Sequence, residues 1–296
     1  MKAQTLSGVA VVDKPRGSTS HTVVAQARRL FGRKDIGHAG TLDPMATGVL
    51  LVLVGQATKL SGYLTADSKR YAADVCFGRA TDTLDAEGQT TTVAALTPEQ
   101  LSLEAITRAL TEEQARTEQT PPAVSAIKVD GERSYALARK GNAPELPPRP
   151  VRVLALSLIE LAPPIIRLEL SVSKGYYVRS LARDLGDRLG APAHLSGLRR
   201  LSSGPFTLAQ ASPWPAAEPP PLIGLAEAAT SVLPACRIRD EAVLRARQGK
   251  LLTAADFSEL PETEGLGAWL TQGGELVALG TTTGELKVVR GFNSEG

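Results

Sequence analysis

Four side chains carry most of the chemistry that this sequence offers: Asp43, Tyr71, Arg179 and His38. Asp43 lies in GHAGTLDPMATGVL, a Gly- and Thr-rich stretch directly before the apolar run VLLVLVG at 49–55. A carboxylate held on a loop at the edge of a buried strand is well placed to meet a ligand. The plainer account, an Asp that turns the chain before Pro44, stays open at this stage. Arg179 follows the turn SKGYY and starts an apolar pattern of helical spacing. A cation at a helix N-terminus is opposed by the dipole, so it calls for an anion, either a protein carboxylate or a phosphate. Tyr71 follows Lys69 and Arg70, an aromatic ring beside two cations, which suits a base and its phosphates or simply a half-buried strand. His38 and His21 are the available imidazoles for acid–base work.

Other chemistries find little support. No Ser or Cys stands in a recognisable nucleophile setting. The glycine patterns of dinucleotide and P-loop sites are absent. Cys76 and Cys236 lack paired spacing, so neither a disulfide framework nor a Cys/His metal site is expected, and no cofactor is implied.

The elements that must position these residues follow from periodicity. GVAVVDKP at 8–15 reads as a strand stopped by Pro15. Ser18, Thr19 and Ser20 offer helix caps, and Val23, Val24, Ala27, Leu30 and Phe31 recur at helical spacing, which predicts a helix over 20–31. Residues 32–48 read as a loop and 49–55 as a buried strand. Strands are expected at 71–77, 151–160 and 165–172, and helices over 100–118 and from Tyr177 onward. Proline-rich 142–150 reads as a connector. Five prolines between 213 and 221 mark 209–231 as a linker or extended strap. Beyond it, LGAWLT, ELVALGTTT and ELKVVRGF are short strands separated by turns, the pattern of a small β-barrel module.

The chain of 296 residues is 43% hydrophobic and 22% charged, an ordinary globular composition. No apolar run approaches the ~20 residues of a membrane helix, and the N-terminal residues lack a secretory pattern; a cytoplasmic protein without membrane partners is expected. The net charge of +2 is unevenly spread: +6 over residues 1–80, −6 over 81–120, +6 over 121–212 and −4 over 213–296. Two basic blocks could form one face for a phosphate backbone, or be ordinary solvated surface.

Taken together, the motifs resemble one family. GHAGTLDPMATGVLLVLVGQATKL (37–60) is similar to the catalytic motif of bacterial tRNA pseudouridine-55 synthases. VVDKPRGSTSH (11–21), KRYAADVCFGRATDTLDAEG (69–88), QTPPAVSAIKVDGERSYALAR (119–139), SKGYYVRSLARDLGDRLG (173–190) and HLSGLRRLSSGPF (194–206) match further motifs of that family in order and spacing. The resemblance covers roughly 8–210. It implies an α+β fold with a large mixed, mainly antiparallel sheet flanked by helices and loops. A catalytic domain over 1–230, with its proline-rich linker at 209–231, would be followed by a PUA-like RNA-binding β-barrel at 232–296.

The resemblance also implies roles. Asp43 becomes the essential carboxylate, Arg179 its arginine partner and Tyr71 the ring that stacks on the target base. Leu201 becomes the apolar contact beneath the uracil, and Tyr177 a second aromatic near it. His38 would contact the target loop where the base leaves its stack. Lys14 and Pro15 would line the pocket from below. Arg33 and Lys34, with Arg183, Arg188, Arg199 and Arg200, would grip the T-arm backbone. Tyr176, Ser180 and Val124 depart from residues common in the family.

The implied reaction turns uridine 55 of tRNA into pseudouridine: the N1–C1′ bond breaks, the uracil turns, and C5 joins C1′. Flipping the base out costs a few kcal/mol. Asp43 could stabilise positive charge on the ribose, attack C1′ or take a proton from C2′. The implied partner is tRNA alone, with a monomeric enzyme and no guide RNA. The competing expectations are an RNA-binding or RNA-folding module whose catalysis is incidental or lost, and a guide-RNA-dependent relative that works inside a larger complex; an added role in tRNA folding is compatible with the enzyme.

Overall fold

The computed structural model describes residues 7–65, 68–125, 128–129, 132–133, 144 and 146–294. Most of the motif beyond Ser125 and part of the connector at 142–150 therefore lie outside the described residues. Along the chain the main elements are β1 (Gly8–Lys14), α1 (Ser20–Leu30), β2 (Ile36–Ala39), β3 (Thr47–Val54) and β4 (Ser68–Phe77). They continue with α2 (Leu103–Gln114), β5 (Val153–Ala162), β6 (Ile165–Ser173), α3 (Val178–Leu189), β7 (Ala193–Ser203) and α4 (Leu225–Thr230). The last are β8 (Ala235–Ile238), α5 (Asp240–Arg247), β9 (Phe257–Glu259), β10 (Leu266–Leu270), β11 (Leu276–Thr281) and β12 (Val288–Gly291). The fold is mixed α/β, with sheets that are mainly antiparallel. Among the described residues no helix is long and apolar enough to cross a membrane.

The chain divides into two compact units. The first holds residues 1–43, 49–66 and 203–296, the second 44–48 and 67–202.

In the first unit, β2 runs antiparallel to β3, from Ile36 opposite Val54 to Ala39 opposite Leu51. Residues 32–48 are thus not all loop. A four-residue strand containing Gly37 is too short to show a period, and its ladder with β3 supplies the bonds that stabilise it. Val49 to Val54 are all completely buried, as a strand covered on both faces requires. Helix α1 starts from Thr19, whose hydroxyl accepts the Thr22 N–H, and it buries Val23, Val24 and Ala27.

The proline-rich segment is a strap. Ser212 and Pro213 pair in parallel with Val12 and Asp13, and Ile223 and Gly224 pair antiparallel with Val9 and Gly8. Proline is tolerated here because only two-residue ladders form. The C-terminal sheet has the order β9-β8-β10-β11-β12. It encloses Cys236, Ile238, Phe257, Trp269 and Val277. Its Ala268, Leu270 and Leu279 join Val9, Val11, Leu51 and Leu53 in the other core of this unit. Two C-terminal elements, β8 and α5, had no clear periodic signal. Helix α5 buries only Ala242 and Ala246, too narrow a stripe to read from sequence.

The second unit carries β5-β6-β4-β7, with β6 antiparallel to both β5 and β4. Tyr71, Ala73, Val75 and Phe77 of β4 share a buried face with Ile166, Leu168, Leu170 and Val172 of β6. On the other face Arg167 pairs with Asp74 and Glu160, and Arg70 with Glu169. Thr47 and Gly48 pair in parallel with Arg199 and Arg200 of β7. Gly48 has φ +102°, and a Cβ there would lie 2.2 Å from the Arg200 carbonyl oxygen. The glycine is therefore required by both backbone conformation and close approach.

Candidate active site

Asp43 lies in the loop Gly40–Ala46 that joins β2 to β3. Its neighbours Leu42, Met45 and Ala46 are buried, while Asp43 itself is half-buried. A serine hydroxyl of α1 helps to hold the loop. Ser20 Oγ accepts the Leu42 N–H at 2.9 Å and donates to the Leu42 carbonyl at 3.2 Å. Ser20 was grouped with the helix caps, but Thr19 caps α1 and frees Ser20 to hold the loop. No periodicity signals that task. The outcome is a carboxylate at a partly open position on a backbone anchored on both sides.

Lys14 ends β1 and is fully buried. Its ammonium donates to the Pro15 carbonyl at 3.0 Å and the Ser18 carbonyl at 2.6 Å. It thereby closes the turn that leads into α1. His38, on β2 opposite Val52, sets its ring edge-on to His21, with centroids 5.5 Å apart and planes at 84°. Arg33 forks onto Asp35, with nitrogen–oxygen distances of 2.9 and 2.7 Å. That bond holds the Asp35 carboxyl below the usual carboxylate range. Lys34 is exposed.

In the second unit Tyr71 is nearly buried on β4, opposite Leu170. Leu201 is half-buried on β7, the strand beside β4. Tyr177 immediately precedes α3 and Arg179 lies in its first turn. Arg179 is only 6% exposed. Its guanidinium donates to the Thr83 and Val124 carbonyls, each at 3.0 Å, and stands 3.7 Å from the Asp85 carboxylate. Asp85 thus places one carboxylate beside this cation.

Asp85 was missed as an individual residue, although its motif was recognised. It is 5% exposed, and its Oδ1 accepts from Thr83 Oγ1 at 2.6 Å and the Glu87 N–H at 3.0 Å. A signal did exist: TDTLD packs polar residues at turn spacing, the habit of Asp and Thr side chains that fold back on their own backbone.

A buried polar cluster braces the same corner. Glu113 of α2 is fully buried and accepts from Tyr176 Oη at 2.8 Å and Arg188 Nη1 at 2.6 Å, with Arg116 Nε at 2.7 Å. Burial, together with the Glu113 charge, pushes the Tyr176 hydroxyl well above the usual tyrosine range. Tyr176 thereby ties the start of α3 to α2.

One expectation is corrected here. Arg200 is fully buried and thus not a solvent-facing grip for RNA. Arg188 ties α3 to α2 through Glu113 and Glu112, and Arg183 is bonded to its neighbour Asp184 and to the Thr120 carbonyl. Arg199 donates to Thr47 Oγ1 at 3.2 Å.

The expected site residues thus fall into two groups. Asp43, Lys14, Pro15, His38, Arg33 and Lys34 belong to the first unit, and Tyr71, Tyr177, Arg179 and Leu201 to the second. Within the described residues no cluster of His, Cys, Asp and Glu suits a metal ion.

Comparison with known proteins places these features. The family described as TruB family pseudouridylate synthase (N terminal domain) matches residues 28–178. A protein of Syntrophotalea carbinolica named tRNA pseudouridine synthase B is 37% identical, over 98% of this chain and 99% of that protein. A Mycobacterium ulcerans protein of the same name is 49% identical over 69% of each chain. Among solved structures, a chain of a Cbf5-Nop10-Gar1 complex superposes with a TM-score of 0.73 at 25% identity, covering 99% of this chain and 85% of that one.

Proposed function

The chain belongs to the TruB family of pseudouridylate synthases, and from that premise we propose a tRNA-specific isomerase that converts uridine 55 of the T-arm to pseudouridine with Asp43 as its essential carboxylate. The protein is a tRNA pseudouridine synthase; the position modified and the residue roles are the proposal. The observation that carries it is the Asp43 loop: a half-buried carboxylate whose flanks are fixed by Ser20 and by buried Leu42 and Met45.

Glycosidic cleavage builds positive charge at C1′. A carboxylate held in place before the substrate arrives stabilises that charge without reorganising. The same placement serves attack on C1′ or proton removal from C2′. Tyr71 offers its ring to the flipped base, where stacking is worth ~1–3 kcal/mol. Tyr177 and Leu201 complete the contacts to the uracil. Arg179 brings a cation whose charge Asp85 partly balances. Lys14 and Pro15 form the floor of the pocket, and His38 meets the target loop where the base leaves.

Lys34 contacts the T-arm backbone. Arg33, already paired, adds to the field there rather than a free fork. Residues 232–296 act as a PUA-like RNA-binding module after a catalytic domain at 1–230. The cluster around Cys236, Ile238 and Trp269 favours such a module, while Ala268, Leu270 and Leu279 tie it to the core of β1 and β3. The enzyme works as a cytoplasmic monomer without guide RNA.

The test is to incubate the purified protein alone with unmodified tRNA and map pseudouridine along the product. Modification confined to uridine 55 is expected. Modification elsewhere, or a requirement for a guide RNA, would contradict the proposal.

A further inference from the structure

Tyr177 caps α3 with no side-chain hydrogen bond of the helix-capping kind. Its backbone is held by a different side chain. The Gln119 carboxamide nitrogen donates to the Tyr177 carbonyl at 3.1 Å, and the carboxamide oxygen accepts the Tyr177 N–H at 2.8 Å. One planar group thus satisfies both backbone groups at once, as a neighbouring strand would. Gln119 is only 2% exposed, so these bonds compete with little water, and leaving the partners unmade is costly. Gln119 is itself fixed, because its backbone is in register with Arg149.

We propose that Gln119 is a positioning residue for the isomerisation: it sets the backbone direction at Tyr177, and hence the placement of the Tyr177 ring against the flipped uracil. This rests on the reading of Tyr177 as a base contact. The chemistry of the clamp is specific to glutamine. It needs a donor and an acceptor in one plane at that reach. Glutamate lacks the donor when ionised, asparagine is shorter by one methylene, and methionine has the shape with neither group. A shift of about 1 Å in a substrate-positioning group can cost ~100-fold in rate.

The experiment is a double-mutant cycle on single-turnover tritium release from tRNA labelled at uracil C5, with tRNA affinity and melting temperature measured for each protein. The four corners are wild type, Gln119→Met, Tyr177→Ala and the double variant. Gln119→Met should slow the chemical step by ~10–100-fold at saturating tRNA while affinity holds. The double variant should be no slower than Tyr177→Ala, because the clamp acts through that ring. Ser180→Ala supplies the control. It removes the Ser180 Oγ bond to the Thr120 carbonyl, 2.9 Å long and in the same segment, but leaves the clamp intact. It should lower the melting temperature and leave the rate unchanged.

Should Gln119→Met fold poorly, Gln119→Glu gives a second reading. Its rate relative to wild type should rise as pH falls, because the protonated carboxyl regains a donor for the Tyr177 carbonyl. Wild-type rates in Gln119→Met, losses that multiply in the double variant, or equal slowing by Ser180→Ala would each overturn the proposal. A wild-type rate in Tyr177→Ala alone would instead overturn the underlying reading of Tyr177.

Discussion

The loop that carries Asp43 and the helix start that carries Tyr177 and Arg179 differ in the balance of apolar and polar side chains seen to hold them. The Asp43 loop hangs between paired strands and is anchored by buried Leu42, Met45 and Ala46, with one hydroxyl bonded twice to Leu42. The helix start is held by buried polar groups: Gln119 on Tyr177, and Asp85 with the Thr83 and Val124 carbonyls on Arg179. Apolar anchors are non-directional and tolerate changes of similar volume. Polar anchors are directional, and each costs ~1–3 kcal/mol when one partner is removed in a buried place. Changes at the apolar anchors of the first region should therefore act gradually, and changes at the polar anchors of either region abruptly.

The largest expected effect is at the polar corner. Arg179→Met strands the buried Asp85 carboxylate and should cost ~3 kcal/mol in stability by urea unfolding. Adding Asp85→Asn should restore most of that stability without restoring activity. A single-variant loss within ~0.5 kcal/mol, the range of surface changes, would erase the contrast between the regions. Next comes Ser20→Ala, which removes both bonds to Leu42. It should cost ~1–2 kcal/mol and slow the chemical step with little change in tRNA affinity. Unchanged turnover would show that the Ser20 bonds do not place Asp43. Smaller still is Met45→Leu, expected to cost less than ~1.5 kcal/mol with activity retained. A large loss of rate would mean that the apolar anchor is as exacting as the polar one.

Tyr176→Phe removes a bond to buried Glu113 and should cost ~1–3 kcal/mol at neutral pH, but its most specific effect is on the pH dependence. In the folded protein burial and the Glu113 charge keep this hydroxyl protonated far above its ordinary range. Above the unfolded tyrosine value of ~10 the unfolded chain therefore binds fewer protons, and stability falls as pH rises. Tyr176→Phe should flatten that decline. An identical pH dependence in the variant would remove Tyr176 from the account.

This contrast also explains what could be read from the residues alone. Strand β3 and helix α1 were legible because apolar side chains at fixed spacing must be buried together. Strand β2 was not, since Ile36–Ala39 is short, contains a glycine and depends on its partner. Motif spacing singled out Asp43, Tyr71 and Arg179 as candidates. It did not expose Gln119 or Ser20, whose roles rest on carbonyl and amide groups that only the fold brings within reach. Asp85 stood between the two cases, inside a recognised motif but without a charge partner near it in sequence. The ties of Arg188 were hidden for the same reason: Glu113 and Glu112, which pair with it, lie on another helix.

The central claim is that the Asp43 carboxylate performs the chemistry and the rest of the site positions it. Its direct test is tritium release from C5-labelled tRNA by Asp43→Asn, a change that keeps the shape and removes the charge, with tRNA binding measured in parallel. The account predicts unchanged binding and a rate lower by at least ~10,000-fold, the scale of losing an essential catalytic group. Release at a rate close to wild type, with binding intact, would contradict it.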